Sequence, residues 1–90
     1  MSAVLIVKAL VANYDKWRIS FEENAAFRRE SGVGDTEIYC SPEDVNTLLV
    51  LHYFDSTDEA HAFASNPALA DAMHAHGVVG TPRMNVATLS

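Results

Sequence analysis

Residues 45–55 read VNTLLVLHYFD. At a period of two they separate into Asn46, Leu48, Val50, His52 and Phe54 on one side and Val45, Thr47, Leu49, Leu51 and Tyr53 on the other. Both sets are mostly apolar, the pattern of a strand with neither face in water. Its one side chain that changes charge near neutral pH is His52. A strand buried on both sides needs cover on both sides, and 90 residues supply little of it.

Working outward, residues 3–11 repeat the pattern, with Val4, Ile6, Lys8 and Leu10 against Leu5, Val7, Ala9 and Val11. This predicts a second doubly buried strand, with Lys8 as its exception. Asn13 and Asp15 offer helix-start chemistry. From about Asp15 to Ser31 the period becomes helical, with Tyr14, Trp17, Phe21 and Ala25 on one stripe. Gly32 and Gly34 suit its end. Asn24 and Arg28 lie in that apolar stripe although neither is hydrophobic. Residues 35–41 predict a short strand at a sheet edge, and Glu43-Asp44 the turn into the central strand.

Ser56 and Glu59 have capping-box spacing and start a second helix that buries Ala60, Phe63 and Ala64. Asn66-Pro67 breaks it and opens a short helix to His76, with Leu69, Met73 and His76 on one side and Gly77 at the end. A last strand is expected from about Pro82 to Leu89, again at an edge. Strand, helix, strand, strand, helix, strand is the ferredoxin-like βαββαβ order: one α+β domain spanning residues 1–90, an antiparallel sheet with helices on one face. In that order the first and third strands are central, and they are the two that read as buried on both faces. The face without helices stays apolar, and a second copy packed sheet to sheet is the simplest cover.

Composition bounds the partners. A chain this short buries only about 60 to 65 per cent of its unfolded surface, yet 49% of its residues are hydrophobic. That excess favours self-association or an apolar ligand pocket. The net charge of -6 argues against nucleic acid and anionic membrane surfaces. One cysteine, no signal sequence and no long apolar run point to a reducing cytoplasm.

Tyr14-x-x-Trp17-x-x-x-Phe21 with Arg28 and Gly32, then Tyr53-Phe54-Asp55, Ala60-x-x-Phe63, Ser65-x-Pro67-x-Leu69, Met73 and Gly77-Val78-x-Gly80-x-Pro82, resemble the dimeric α+β barrel superfamily. This is the superfamily of antibiotic-biosynthesis monooxygenases and small polyketide-tailoring proteins. Its members include cofactor-free oxygenases, cyclases, haem-degrading enzymes and proteins with no known activity. The resemblance implies a homodimer with a pocket in each subunit between sheet and helices. No complete catalytic motif of one subfamily is present, so no catalytic residue carries over.

The residues themselves nominate candidates. Asn24 and Arg28, if buried unpaired, cost several kcal/mol. Either they face a pocket and bind a ligand carbonyl, phenolate or carboxylate, or Arg28 pairs with an acidic neighbour such as Glu37 or Asp55 while Asn24 caps backbone. His52 is the candidate general base, or else a satisfied core residue. Trp17 and Phe21 are core, or stack on a flat ligand together with Met73 and His76. Lys8 and Tyr39 are further polar side chains that would extend such a lining. His74 and His76, two apart on a helix, make a poor metal pair, so neither metal nor other cofactor is expected. The leading expectation is a cofactor-independent tailoring enzyme, monooxygenase- or cyclase-like, for a hydrophobic aromatic or polyketide-type molecule. The alternatives are a non-catalytic homodimeric binding protein for an apolar metabolite and a purely structural dimer with a filled core.

Overall fold

The computed structural model describes residues 2–90. The elements are β1 (Ala3–Val11), α1 (Tyr14–Glu23), α2 (Ala25–Glu30), β2 (Thr36–Cys40), β3 (Thr47–Phe54), α3 (Thr57–Ser65), α4 (Pro67–Ala75) and β4 (Val78–Thr88). The strands form one sheet in the order β2-β3-β1-β4, every neighbouring pair antiparallel. β1 and β3 are therefore central and β2 and β4 are edges, with the helices on one face.

Three expected elements come out differently. β3 starts at Thr47 rather than Val45. The Asp44 side chain accepts from the Asn46 backbone N–H and from the Thr47 hydroxyl, at 3.0 and 2.9 Å. That local turn competes with strand pairing and leaves Val45 half exposed. β4 starts at Val78, four residues before Pro82, because Val78 and Val79 already pair with Val11 and Leu10. A register shift between Lys8 and Leu10 absorbs the irregularity next to Gly80. The single helix expected over residues 15–31 is two, α1 and α2, broken at Asn24. Asn24 holds φ -95°, ψ 16°, off the helical well, as suits a residue type of low helix propensity.

The caps follow the sequence. Ser56 accepts from the Glu59 N–H and Asn66 from the Ala68 N–H, with Pro67 in the first turn of α4. Asn46 reaches across to accept from the Tyr14 N–H at 2.8 Å, which ties the start of α1 to the loop before β3.

One face of the sheet meets the helices. On it Leu5, Leu48 and Phe54 are fully buried, joined by Val7, Val50, Ala60, Phe63 and Trp17. Pairing puts Val4, Ile6 and Leu10 of β1 beside Tyr53, Leu51 and Thr47 of β3 on the opposite face. There burial is incomplete: Ile6, Leu49 and Leu51 are half-buried, while Leu10 and Tyr39 are 45% and 50% exposed. The two apolar sets of the central strands thus meet different surroundings within one chain.

Gly32 ends α2 at φ +95°, and a Cβ there would lie 2.6 Å from a Glu59 carboxylate oxygen. Gly77 has φ +87° but open space around it. Gly32→Ala is expected to cost about 1–3 kcal/mol, from backbone strain plus displacement of Glu59. Gly77→Ala bears the backbone cost alone. Denaturant melts of the two variants should therefore rank Gly32→Ala as the less stable.

Candidate functional site

Asn24, Arg28, His52, Trp17, Phe21, Met73 and His76 all line one cavity between the sheet and the helices. They arrive from four elements and the α1–α2 break. Trp17 and Phe21 come from α1, Asn24 from the break, Arg28 from α2, His52 from β3, and Met73 and His76 from α4 and its C-terminal cap. Phe27, Phe63 and Leu69 complete much of the apolar wall. The cavity volume is about 50 Å³, room for a few water molecules.

His52 is 4% exposed and points to the helix side. The sequence left that choice open, because both sides of β3 are greasy. Its Nδ1 lies 3.2 Å from the Thr36 hydroxyl. Among the described residues no sealed side-chain nitrogen or oxygen lacks a partner. Among the described residues His52 makes one side-chain bond, through Nδ1, so Nε2 is left unpartnered but not sealed, on a ring that lines the cavity. The ring packs edge-on against Phe63, centroids 5.5 Å apart, and near-parallel to Phe21 at 6.2 Å. Burial, helped by the positive charge of Arg28, lowers its pKa from the ordinary 6.5 to about 4. The imidazole is neutral at physiological pH.

That shift carries a stability prediction. Above pH 6.5 the ring is neutral in folded and unfolded chains alike. Between pH 6.5 and about 4 the unfolded chain takes up the proton and the folded one does not, so stability falls as pH falls. The full loss is about 3 kcal/mol for a shift of this size. Urea melts from pH 7 to 4 should show this slope, and His52→Gln should reduce it, leaving the smaller part that His76 adds in the same direction.

Arg28 corrects one of its two expectations. It pairs with neither Glu37 nor Asp55. Its Nη1 donates to the Phe21 carbonyl at 2.6 Å, and its guanidinium carbon sits 3.6 Å from the centre of the Phe21 ring. The cause is the break at Asn24: α1 ends there, its last carbonyls need donors, and α2 turns Arg28 back over them. Burial lowers its pKa from the ordinary guanidinium value, and it remains a cation. Asn24 lies at the cavity wall, and its side chain makes no capping bond to α2. Trp17 and Phe21 stack on each other, 4.8 Å between ring centres. Phe21 thus lies in contact with an indole and a guanidinium.

His76 lines the cavity with its pKa lowered, first by burial and then by Arg28. Lys8 and Tyr39 are not part of the lining. Register places Lys8 opposite Leu49 and Arg83, and Tyr39 opposite Leu49, all on the helix-free face. His61, His74 and Cys40 are exposed. Among the described residues no group of three or more His, Cys, Asp or Glu could hold a metal ion. No helix among them is long and apolar enough to cross a membrane.

Thr36 was not a sequence candidate. Only the β2–β3 register, which sets it directly opposite His52, reveals it. Electrostatically, the cavity combines one fixed cation with two imidazoles whose pKa values burial and that cation lower. Such a lining favours negative charge on whatever enters.

No protein-family model and no curated protein matches the sequence. Solved structures do match. SnoaB, a cofactor-independent oxygenase from Streptomyces nogalater, superposes with a TM-score of 0.76 at 15% identity, over 99% of this chain and 93% of that one. The monooxygenase from the gene ActVA-Orf6 of Streptomyces coelicolor, solved in complex with nanaomycin D, gives 0.68 at 19% identity, over 99% and 88%. The chain has the ferredoxin-like α+β fold of these solved structures, a four-stranded antiparallel sheet with helices on one face.

Proposed function

We propose that this protein is a cytoplasmic, cofactor-independent tailoring enzyme, monooxygenase- or cyclase-like, acting on a hydrophobic aromatic or polyketide-type molecule as a homodimer. The observation that carries it is a neutral buried histidine lining a cavity shared with a half-buried arginine. His52 takes a proton from a phenolic O–H or an acidic C–H. Oxygenation of an electron-rich phenol and aldol-type ring closure both begin with that step.

A base with a pKa of about 4 is weak towards a phenol. The product of the transfer changes that. A phenolate or enolate beside the ring favours the imidazolium, and Arg28 and Asn24 hold the new negative charge. Trp17 and Phe21 supply flat faces for the ligand, and Met73 and His76 its far wall. The fold likeness to SnoaB and to the nanaomycin D-bound monooxygenase supports this substrate class.

A polycyclic ligand needs several hundred Å³, so the cavity must open to admit it. The segment suited to move is α2, six residues with none fully buried, attached at the Asn24 break. The small volume also favours a second reading, a binding protein or a filled core without turnover. The test is incubation with a polyhydroxylated naphthalene or anthracene under oxygen, reading product by mass spectrometry and affinity by titration. Product that requires His52 supports the enzyme. Saturable binding without product supports the carrier, and neither result supports the filled core.

A further inference from the structure

We propose that Thr36 is the positioning residue of the site: its hydroxyl accepts the Nδ1–H of His52 and so keeps the Nε2 lone pair turned into the cavity. The inference rests on the reading of His52 as a base, but its own evidence is geometric.

A neutral imidazole carries one N–H and one lone pair, and the partner of one nitrogen selects the role of the other. Here Nδ1 has the Thr36 hydroxyl at 3.2 Å and Nε2 has the cavity. Two arrangements satisfy that geometry. Thr36 can donate to Nδ1, which turns Nε2–H inward and makes His52 a donor. Alternatively Nδ1–H donates to Thr36, which turns the lone pair inward and makes it an acceptor.

Two observations select the second. Arg28 lines the same cavity, and a cation on that side attracts the negative end of the ring dipole, which is the bare nitrogen. Thr36 lies on an edge strand and is only half-buried, so its own hydroxyl hydrogen has solvent to bond. A donated Nδ1–H therefore leaves no buried group unsatisfied. The geometry also serves the charged state. When Nε2 takes the substrate proton, the imidazolium keeps its Nδ1–H on the Thr36 oxygen, and no ring flip is needed.

The side chain is held by β pairing. Thr36 and His52 face each other across β2 and β3 on the helix side, where directly opposed side chains touch. A β-branched residue also has few rotamers, which keeps the hydroxyl aimed.

The experiment is ¹⁵N-histidine NMR of the ligand-free protein at pH 7, where nitrogen shifts distinguish the two tautomers. The parent is expected to show His52 protonated at Nδ1. Thr36→Val preserves the strand and removes the acceptor, and the tautomer ratio should move about tenfold towards Nε2–H. Thr36→Ser should restore it. A parent protonated at Nε2, or a Thr36→Val ratio equal to the parent's, overturns the proposal. This readout needs no substrate, so it is separate from the enzyme reading. If the tautomer responds as expected while His52→Ala leaves phenol turnover unchanged, the base assignment fails and the positioning role of Thr36 stands.

Discussion

His52→Ala should lower turnover of a phenolic polycycle by about 10²- to 10⁴-fold, the usual contribution of a positioned general base. The loss should fall on the chemical step, because alanine leaves Arg28, Trp17 and Phe21 to hold the ligand. Affinity by titration should change much less than rate. The pH profile gives an independent check. Burial and Arg28 hold the free ring near pKa 4, so the acidic limb of kcat/KM should lie well below the 6.5 of an unperturbed histidine. Arg28→Met should raise it, since removing the cation relieves one of the two causes of the shift. The same variant removes a hydrogen bond to the Phe21 carbonyl and a guanidinium stacked on its ring, so some stability should go with it. If His52→Ala turned over the probe at the parental rate, the enzyme proposal would be wrong.

Leu51→Asp should disrupt the proposed homodimer, weakening self-association by about a thousandfold or more. Leu51 sits opposite Ile6 at the centre of the helix-free face, between β2 and β1. A carboxylate placed there in each copy would be buried without a partner, at several kcal/mol per interface. The protomer core faces the other way and is untouched, so the variant should stay folded at high concentration. Sedimentation of parent and variant from nanomolar to micromolar reads the difference. A parent that sediments as a folded single copy at micromolar concentration would remove the dimer from the proposal. The outer face explains why the expectation is strong: Leu10, Tyr39 and Val79 are 45–50% exposed beside half-buried Ile6, Leu49 and Leu51, apolar surface interrupted by Lys8, Glu37 and Arg83 that one chain does not cover.

Much of this was legible in the residues because the relevant physics is local. Ser56 with Glu59 and Asn66 with Pro67 announced helix starts through bonds spanning two or three residues. The breadth of the apolar pattern in β1 and β3 marked them as the central strands, and they are. The break at Asn24 was harder to see. Both flanks keep a helical period, and a lone asparagine in a helix is common enough to pass.

What the chain alone determined is the order of its elements and which strands lie innermost, since periodicity and capping depend on neighbours a turn or a pleat away. Tertiary structure decided the side of β3 on which His52 lies buried, the carbonyl and ring that occupy Arg28, and the threonine that meets the histidine. His52 and Thr36 are 16 residues apart and touch only through the β2–β3 register. A strand greasy on both sides cannot encode which side the helices will choose. That depends on where the connecting segments lead the chain, and packing settles it over the whole sheet at once.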